Sequence, residues 1–187
     1  DQVLDSLDTR FGGVTALETV TAQGQTWVLA GGADDGLSLF RILPGGRLLH
    51  AATVADDTGM GLADVSAIAA RIAGGRLDIL AASATEPGLT RLAYDIGGGR
   101  TVTAAPDGAA VEGTAAGDLL VGAAGADRLD GGAGDDVLMD GAGADRLTGG
   151  AGADVFDLAV DGEPDVVANF RLGVDRLAVS YWNGLRN

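Results

Sequence analysis

Aspartate recurs every nine residues along one stretch of the chain, at Asp118, Asp127, Asp136, Asp145 and Asp154. Each is the sixth residue of a nonapeptide, and five such units run without insertion from Gly113 to Asp157: GTAAGDLLV, GAAGADRLD, GGAGDDVLM, DGAGADRLT and GGAGADVFD. Small residues fill the first four places except at Thr114 and Asp140, so the backbone there can turn tightly and approach a ligand closely. Carboxylates, together with carbonyls freed by such turns, are hard oxygen donors. The chain has one histidine, His50, and no cysteine, so imidazole clusters, thiolate zinc sites and disulfides are excluded. Donors of this kind suit calcium, with its flexible shell of about six to eight oxygens, better than magnesium, which demands an octahedron and retains water.

The elements that position these carboxylates follow from two further regularities. The eighth place is always large and apolar, at Leu120, Leu129, Leu138, Leu147 and Phe156, while the seventh alternates: Leu119, Arg128, Val137, Arg146, Val155. Alternate units therefore resemble each other, and the true period is 18 residues. A coil with two turns and two short strands per circuit produces that period, with the arginines on a wetter side. Equivalent aspartates in successive coils then lie about one strand spacing apart, roughly 4.8 Å. Two carboxylates at that distance repel by about 1 kcal/mol in water and about 3 kcal/mol at an effective dielectric near 20. Summed over the array, this rivals a domain's stability, so the coil calls for a counterion. The competing reading is a purely mechanical β-solenoid with solvated aspartates.

Units such as GGAGDDVLM and GGAGADVFD resemble the nonapeptide GGxGxDxUx of RTX (hemolysin-type) calcium-binding proteins. The resemblance implies a right-handed parallel β-roll with calcium between loops 18 residues apart, export by type I secretion machinery and folding triggered by extracellular calcium. Carried over residue by residue, it implies a first site from Thr114, Ala116 and Asp118 with Gly131, Ala133 and Asp136. A second would use Ala123, Gly125 and Asp127 with Asp140, Ala142 and Asp145. A third would use Gly132, Gly134 and Asp136 with Gly149, Ala151 and Asp154. Asp165, sixth in a degenerate unit, would form a fourth over Asp145 with Gly141 and Gly143. About three to four ions follow. Ala116 departs from the family's glycine at the first site. Asp140, also in a glycine place, either tightens its site or faces solvent.

Beyond Asp157 the period breaks, and Phe170, Leu172, Leu177 and Val179 are expected to cap the apolar column; Asp175 is read as a surface turn. The first hundred residues alternate short apolar stretches with turns, and Ala16-Leu17, Val28-Leu29-Ala30 and Gly36-Leu37 recur about 51 residues later as Ala67-Ile68, Ile79-Leu80-Ala81 and Gly88-Leu89. Four antiparallel strands per unit resemble β-propeller blades, although two blades cannot close a ring. The expected organisation is all-β: an antiparallel repeat domain over 1–105, with four-stranded meander units at about 14–54 and 65–105, a linker at 106–112, and a parallel β-roll with capping strands over 113–187.

Acids outnumber bases 27 to 12, giving a net charge of -15, which excludes nucleic-acid backbones as partners. No GxSxG, Walker or Rossmann fingerprint is present, so no catalytic residue is assigned. Asp34-Asp35 and Asp56-Asp57 read as solvated turns and Gly31-Gly32-Ala33 as a turn. His50 reads as structural, and Tyr181 with Trp182 as a core cap. The sequence thus points to the calcium-binding module of a secreted, extracellular bacterial protein. The alternatives are the non-catalytic tail of a secreted hydrolase, or an adhesion module with an extracellular glycan or protein partner.

Overall fold

The computed structural model describes residues 12–56 and 60–180. The chain divides into two units, Asp1–Asp95 and Ile96–Asn187. Asp57, Tyr181 and Trp182, and the side chain of Val179, fall outside what is described.

In the first unit, β1 (Ala16–Ala22), β2 (Gln25–Gly31), β3 (Gly36–Ile42) and β4 (Leu48–Ala55) form an antiparallel meander in sequence order. Strands β5 (Val65–Ala73), β6 (Arg76–Ser83) and β7 (Thr90–Asp95) form a second, three-stranded sheet. Both sheets begin with the same device. A two-residue loop with positive φ at both positions, Gln23-Gly24 (53° and 75°) and Gly74-Gly75 (59° and 76°), matches the right-handed twist of the strands it joins. The sheets share an apolar interior of Leu37, Leu39, Ala52 and Val54 with Ile79 and Leu92. Within it, the Trp27 and Tyr94 rings stand 6.1 Å apart. His50 accepts or donates one hydrogen bond at Thr53 Oγ1, 2.7 Å away, and packs on Phe40.

The second meander stops at three strands. The segment RTVTAA, expected to be its fourth, supplies β8 (Thr101–Thr103), which pairs in parallel with β10 (Leu119–Val121). Residues 106–112, expected to be a linker, contain β9 (Ala110–Glu112), which pairs with β11 (Arg128–Ala133). The remaining strands are β12 (Val137–Met139), β13 (Arg146–Ala151), β14 (Val155–Ala159), β15 (Val166–Val167) and β16 (Arg176–Ser180). They build two parallel sheets, β16-β14-β12-β10-β8 and β15-β13-β11-β9. The solenoid thus begins at Thr101, one coil ahead of the first nonapeptide.

The pairing carries the 18-residue period directly. Leu119 pairs with Val137 and Val137 with Val155, whereas Arg128 pairs with Arg146 in the other sheet. Both arginines are exposed and the three aliphatic residues are buried. The eighth-place residues form the core, with Leu120, Leu129, Leu138, Leu147 and Phe156 all at 0 % exposure and Val111 and Ala104 extending the column downward. At the other end, Phe170 packs on Phe156 with ring centroids 6.0 Å apart. Leu172 does not cap the column as expected, being 93 % exposed, and Leu177 is half-exposed. Leu172 lies in the inserted turn, whereas Leu177 pairs in register with Phe156 and stands at the open end of the column.

Candidate metal centre

The turns between strands stack as the strands do, and the sixth-place aspartates line the inside of each stack. On one side, Asp118 Oδ1 accepts from the Arg100 N–H at 2.7 Å, Asp136 Oδ1 from Asp118 N–H at 2.7 Å, and Asp154 Oδ1 from Asp136 N–H at 3.1 Å. On the other, Asp127 Oδ1 accepts from Ala109 N–H at 2.6 Å and Asp145 Oδ1 from Asp127 N–H at 2.7 Å. Each carboxylate thus spends one oxygen on the coil before it and leaves the second for its own turn. All five aspartates are buried, at 0–3 % exposure.

Both ladders continue past the strict repeats. Asp165 Oδ1 accepts from Asp145 N–H at 3.1 Å, as the sequence placed it, and Asp175 Oδ1 accepts from Asp154 N–H at 3.2 Å. Asp175 is therefore a rung of the ladder, at 7 % exposure, and not a surface turn. Its Gly-x-Asp-x-Leu string is the signal that marks it; its 21-residue spacing from Asp154 hides it.

The second oxygens differ along the stacks. Asp118 Oδ2 accepts from the backbone N–H and hydroxyl of Thr114, and Asp127 Oδ2 from Ala123 N–H at 2.9 Å. Asp145 Oδ2 and Asp154 Oδ2 are buried with no hydrogen-bond donor. A buried carboxylate oxygen left this way costs free energy unless a cation meets it. Around Asp145 the case is strongest, because Asp140, Asp145 and Asp165 bring carboxylate oxygens within 4.8 Å of one another. Asp140 does not face solvent. Its carboxylate is 2 % exposed and accepts from Gly141 N–H at 2.7 Å and Ala159 N–H at 2.9 Å.

Glycine in the turns answers to geometry at the second and fourth places. Gly132 and Gly150 have φ of 95° and 104°, and a Cβ on Gly132 would stand 2.4 Å from the Thr114 carbonyl oxygen. The carbonyls of successive turns are brought against one another too closely for any side chain between them. The remaining residues of the anticipated ligand sets, among them Gly131, Ala133, Gly149 and Ala151, lie in these same turns or the strands entering them.

Among the described residues of the first unit, Asp34, Asp35 and Asp56 belong to no cluster of three or more metal-binding side chains. Asp35 has φ of 54° in the β2–β3 turn, and Asp56 Oδ1 accepts from Leu62 N–H at 3.3 Å. Among the described residues, the only cluster of three or more metal-binding side chains is Asp140, Asp145 and Asp165.

Burial governs the electrostatics of this cluster. It pushes the Asp140 carboxyl up to about 6 against the pull of the Ala159 and Gly141 N–H groups, with Asp165 and Asp145 adding repulsion. Asp145 and Asp154 are raised for the same first cause. A raised carboxyl favours the folded state when protonated, so this stabilisation is complete below about pH 3.8 and is lost as pH rises through about 6. Without calcium, the melting midpoint is expected to fall between pH 4 and 7, with roughly 3 kcal/mol lost through Asp140 alone. Thermal melts in chelator at several pH values check this; a midpoint that rises across that window contradicts it.

A parallel β-solenoid whose turns stack buried carboxylates against backbone carbonyls defines a class of oxygen-donor cation scaffolds. Residues 112–139 and 131–160 match the RTX calcium-binding nonapeptide repeat, whose family model spans four copies. This part of the chain, about a quarter of its length, is thus an array of RTX repeats. No curated protein and no solved structure matches the chain.

Proposed function

We propose that the solenoid is the calcium-binding module of a secreted bacterial RTX-type protein, and that it folds on meeting extracellular calcium. The observation that carries this reading is the buried, donorless Oδ2 of Asp145, with Asp140 and Asp165 beside it, inside an RTX repeat array. Ions would bridge turns 18 residues apart. One set pairs Thr114, Ala116 and Asp118 with Gly131, Ala133 and Asp136, and the next along that side pairs Gly132, Gly134 and Asp136 with Gly149, Ala151 and Asp154. Opposite, Ala123, Gly125 and Asp127 would face Asp140, Ala142 and Asp145, and Gly141, Gly143 and Asp145 would face Asp165.

When bound, calcium supplies positive charge to carboxylates that otherwise repel across the coils. The chain's own residues do the positioning: Oδ1 of each aspartate is held by the preceding coil, which turns Oδ2 inward. Extracellular modules bind calcium at about 0.1 to 1 mM. Calcium at ten times that dissociation constant stabilises by about 1.4 kcal/mol per site. Three or four sites acting together then supply an appreciable fraction of a domain's stability.

A calcium titration followed by far-UV circular dichroism and calorimetry, with magnesium as control, tests the reading. The expected result is a cooperative gain of β-signal with about three or four ions bound at submillimolar to millimolar calcium. A spectrum indifferent to calcium, with no binding heat, overturns it.

A further inference from the structure

The two acidic stacks end differently. On the Asp145 side the last rung is Asp165, and it faces Asp145 and Asp140. On the Asp154 side the last rung is Asp175, and a guanidinium stands between the two carboxylates. Arg171 Nη2 lies 3.6 Å from Asp154 Oδ2 and 3.0 Å from Asp175 Oδ1, and it donates to the Gly152 carbonyl. Arg171 Nε reaches Asp175 Oδ2 at 3.5 Å. The neighbouring carbonyl is engaged as well, since Asn169 Nδ2 donates to Gly150 O at 3.4 Å while Asn169 Oδ1 accepts from Gly149 N–H at 2.9 Å.

Gly150 O, Gly152 O, Asp154 and Asp175 occupy the same repeat places as the donors that would hold calcium one coil earlier, at Gly132, Gly134, Asp136 and Asp154. The geometry points to Arg171 as a built-in cation that fills the terminal coil-to-coil position of this stack, with Asn169 taking the remaining carbonyl. One residue thereby closes the ion column in one stack, while the other stack ends on three carboxylates. The inference deepens the calcium reading above and rests on it. At the opposite end no plug is needed, because the sixth place before Asp118 is Arg100 and presents no carboxylate.

Calorimetric calcium titration of the full chain and of Arg171→Gln and Arg171→Lys variants tests the assignment. Arg171→Gln removes the charge and keeps a side chain of comparable reach. It is expected to bind one more calcium ion per chain than the parent, and to melt at a lower temperature than the parent in chelator but not in saturating calcium. Arg171→Lys keeps a cation and is expected to retain the parent's stoichiometry. Ion counts are read at saturating calcium, so a variant that is unfolded in chelator still reports. An Arg171→Gln protein that binds the parent's number of ions, or fewer, overturns the inference while leaving the calcium module standing. Binding by neither protein overturns both.

Discussion

Replacing Asp136 by asparagine will raise the calcium concentration needed for folding by about tenfold or more, and the same change at Asp118 will raise it less. Asp136 lies mid-stack, so in the proposed arrangement its carboxylate serves the ion on either side, whereas Asp118 serves one. Asparagine keeps the size and an acceptor for the Asp118 N–H, which Asp136 Oδ1 now takes at 2.7 Å. What it removes is the charge, and charge count among the ligands tunes calcium affinity over decades. Losing a charge-assisted contact costs about 1.5 to 3 kcal/mol per interaction, or roughly ten- to a hundredfold. The deficit is one of affinity, so saturating calcium should restore the β-signal. Circular dichroism titrations of the two variants side by side measure it; equal shifts would argue against the stacking of ions through Asp136.

Gly132→Ala is expected to act differently, by abolishing the folded roll at every calcium concentration. Its φ of 95° is one that L side chains rarely adopt, and the added methyl would stand 2.4 Å from the Thr114 carbonyl oxygen. The obstructing atom is backbone, held by the Ala133 N–H to Thr114 O hydrogen bond at 3.1 Å, so relief requires prising two coils apart. That carbonyl is also one of the proposed ligands. Excess calcium therefore offers no rescue, and a roll that reappears at high calcium would show that the turn has more slack than its geometry implies.

How much of this was readable beforehand depended on where the repeat is strict. The 18-residue period and the split of odd and even units into two sheets follow from a seventh place that alternates between aliphatic residues and arginine, and the buried column from an eighth place that is always large and apolar. The first coil, β8 and β9, was missed because its sixth places are Arg100 and Ala109, and a motif keyed on aspartate passes over them. Yet Val102 and Val111 continue the nine-residue apolar spacing down from Leu120, and that signal would have found the coil. Asp175 was obscured by inserted residues that spoil the spacing without spoiling the hydrogen bond. Arg171 was beyond reach, since nothing in its neighbours' types says that the extra turn folds it back onto Gly152. The second meander failed for a related reason: a three-residue strand such as Thr101–Thr103 carries too little pattern to say which sheet it joins.

The carboxylate ladders also give the roll a direction. Every rung reaches backward: the acceptor for the Asp118 amide sits on Asp136, that for Asp136 on Asp154, and that for Asp154 on Asp175. The sixth-place amide of each coil is thus satisfied by a carboxylate of the coil after it, while the next amide along the chain pairs with a carbonyl of the coil before, as Val137 N–H does with Asp118 O at 2.9 Å. An open amino-side coil edge therefore leaves seventh-place amides without their acceptors, and an open carboxyl-side edge leaves the sixth-place ones. Asp165 and Asp175 close the carboxyl-side edge, each supplying the acceptor that the last strict coil of its stack would otherwise lack.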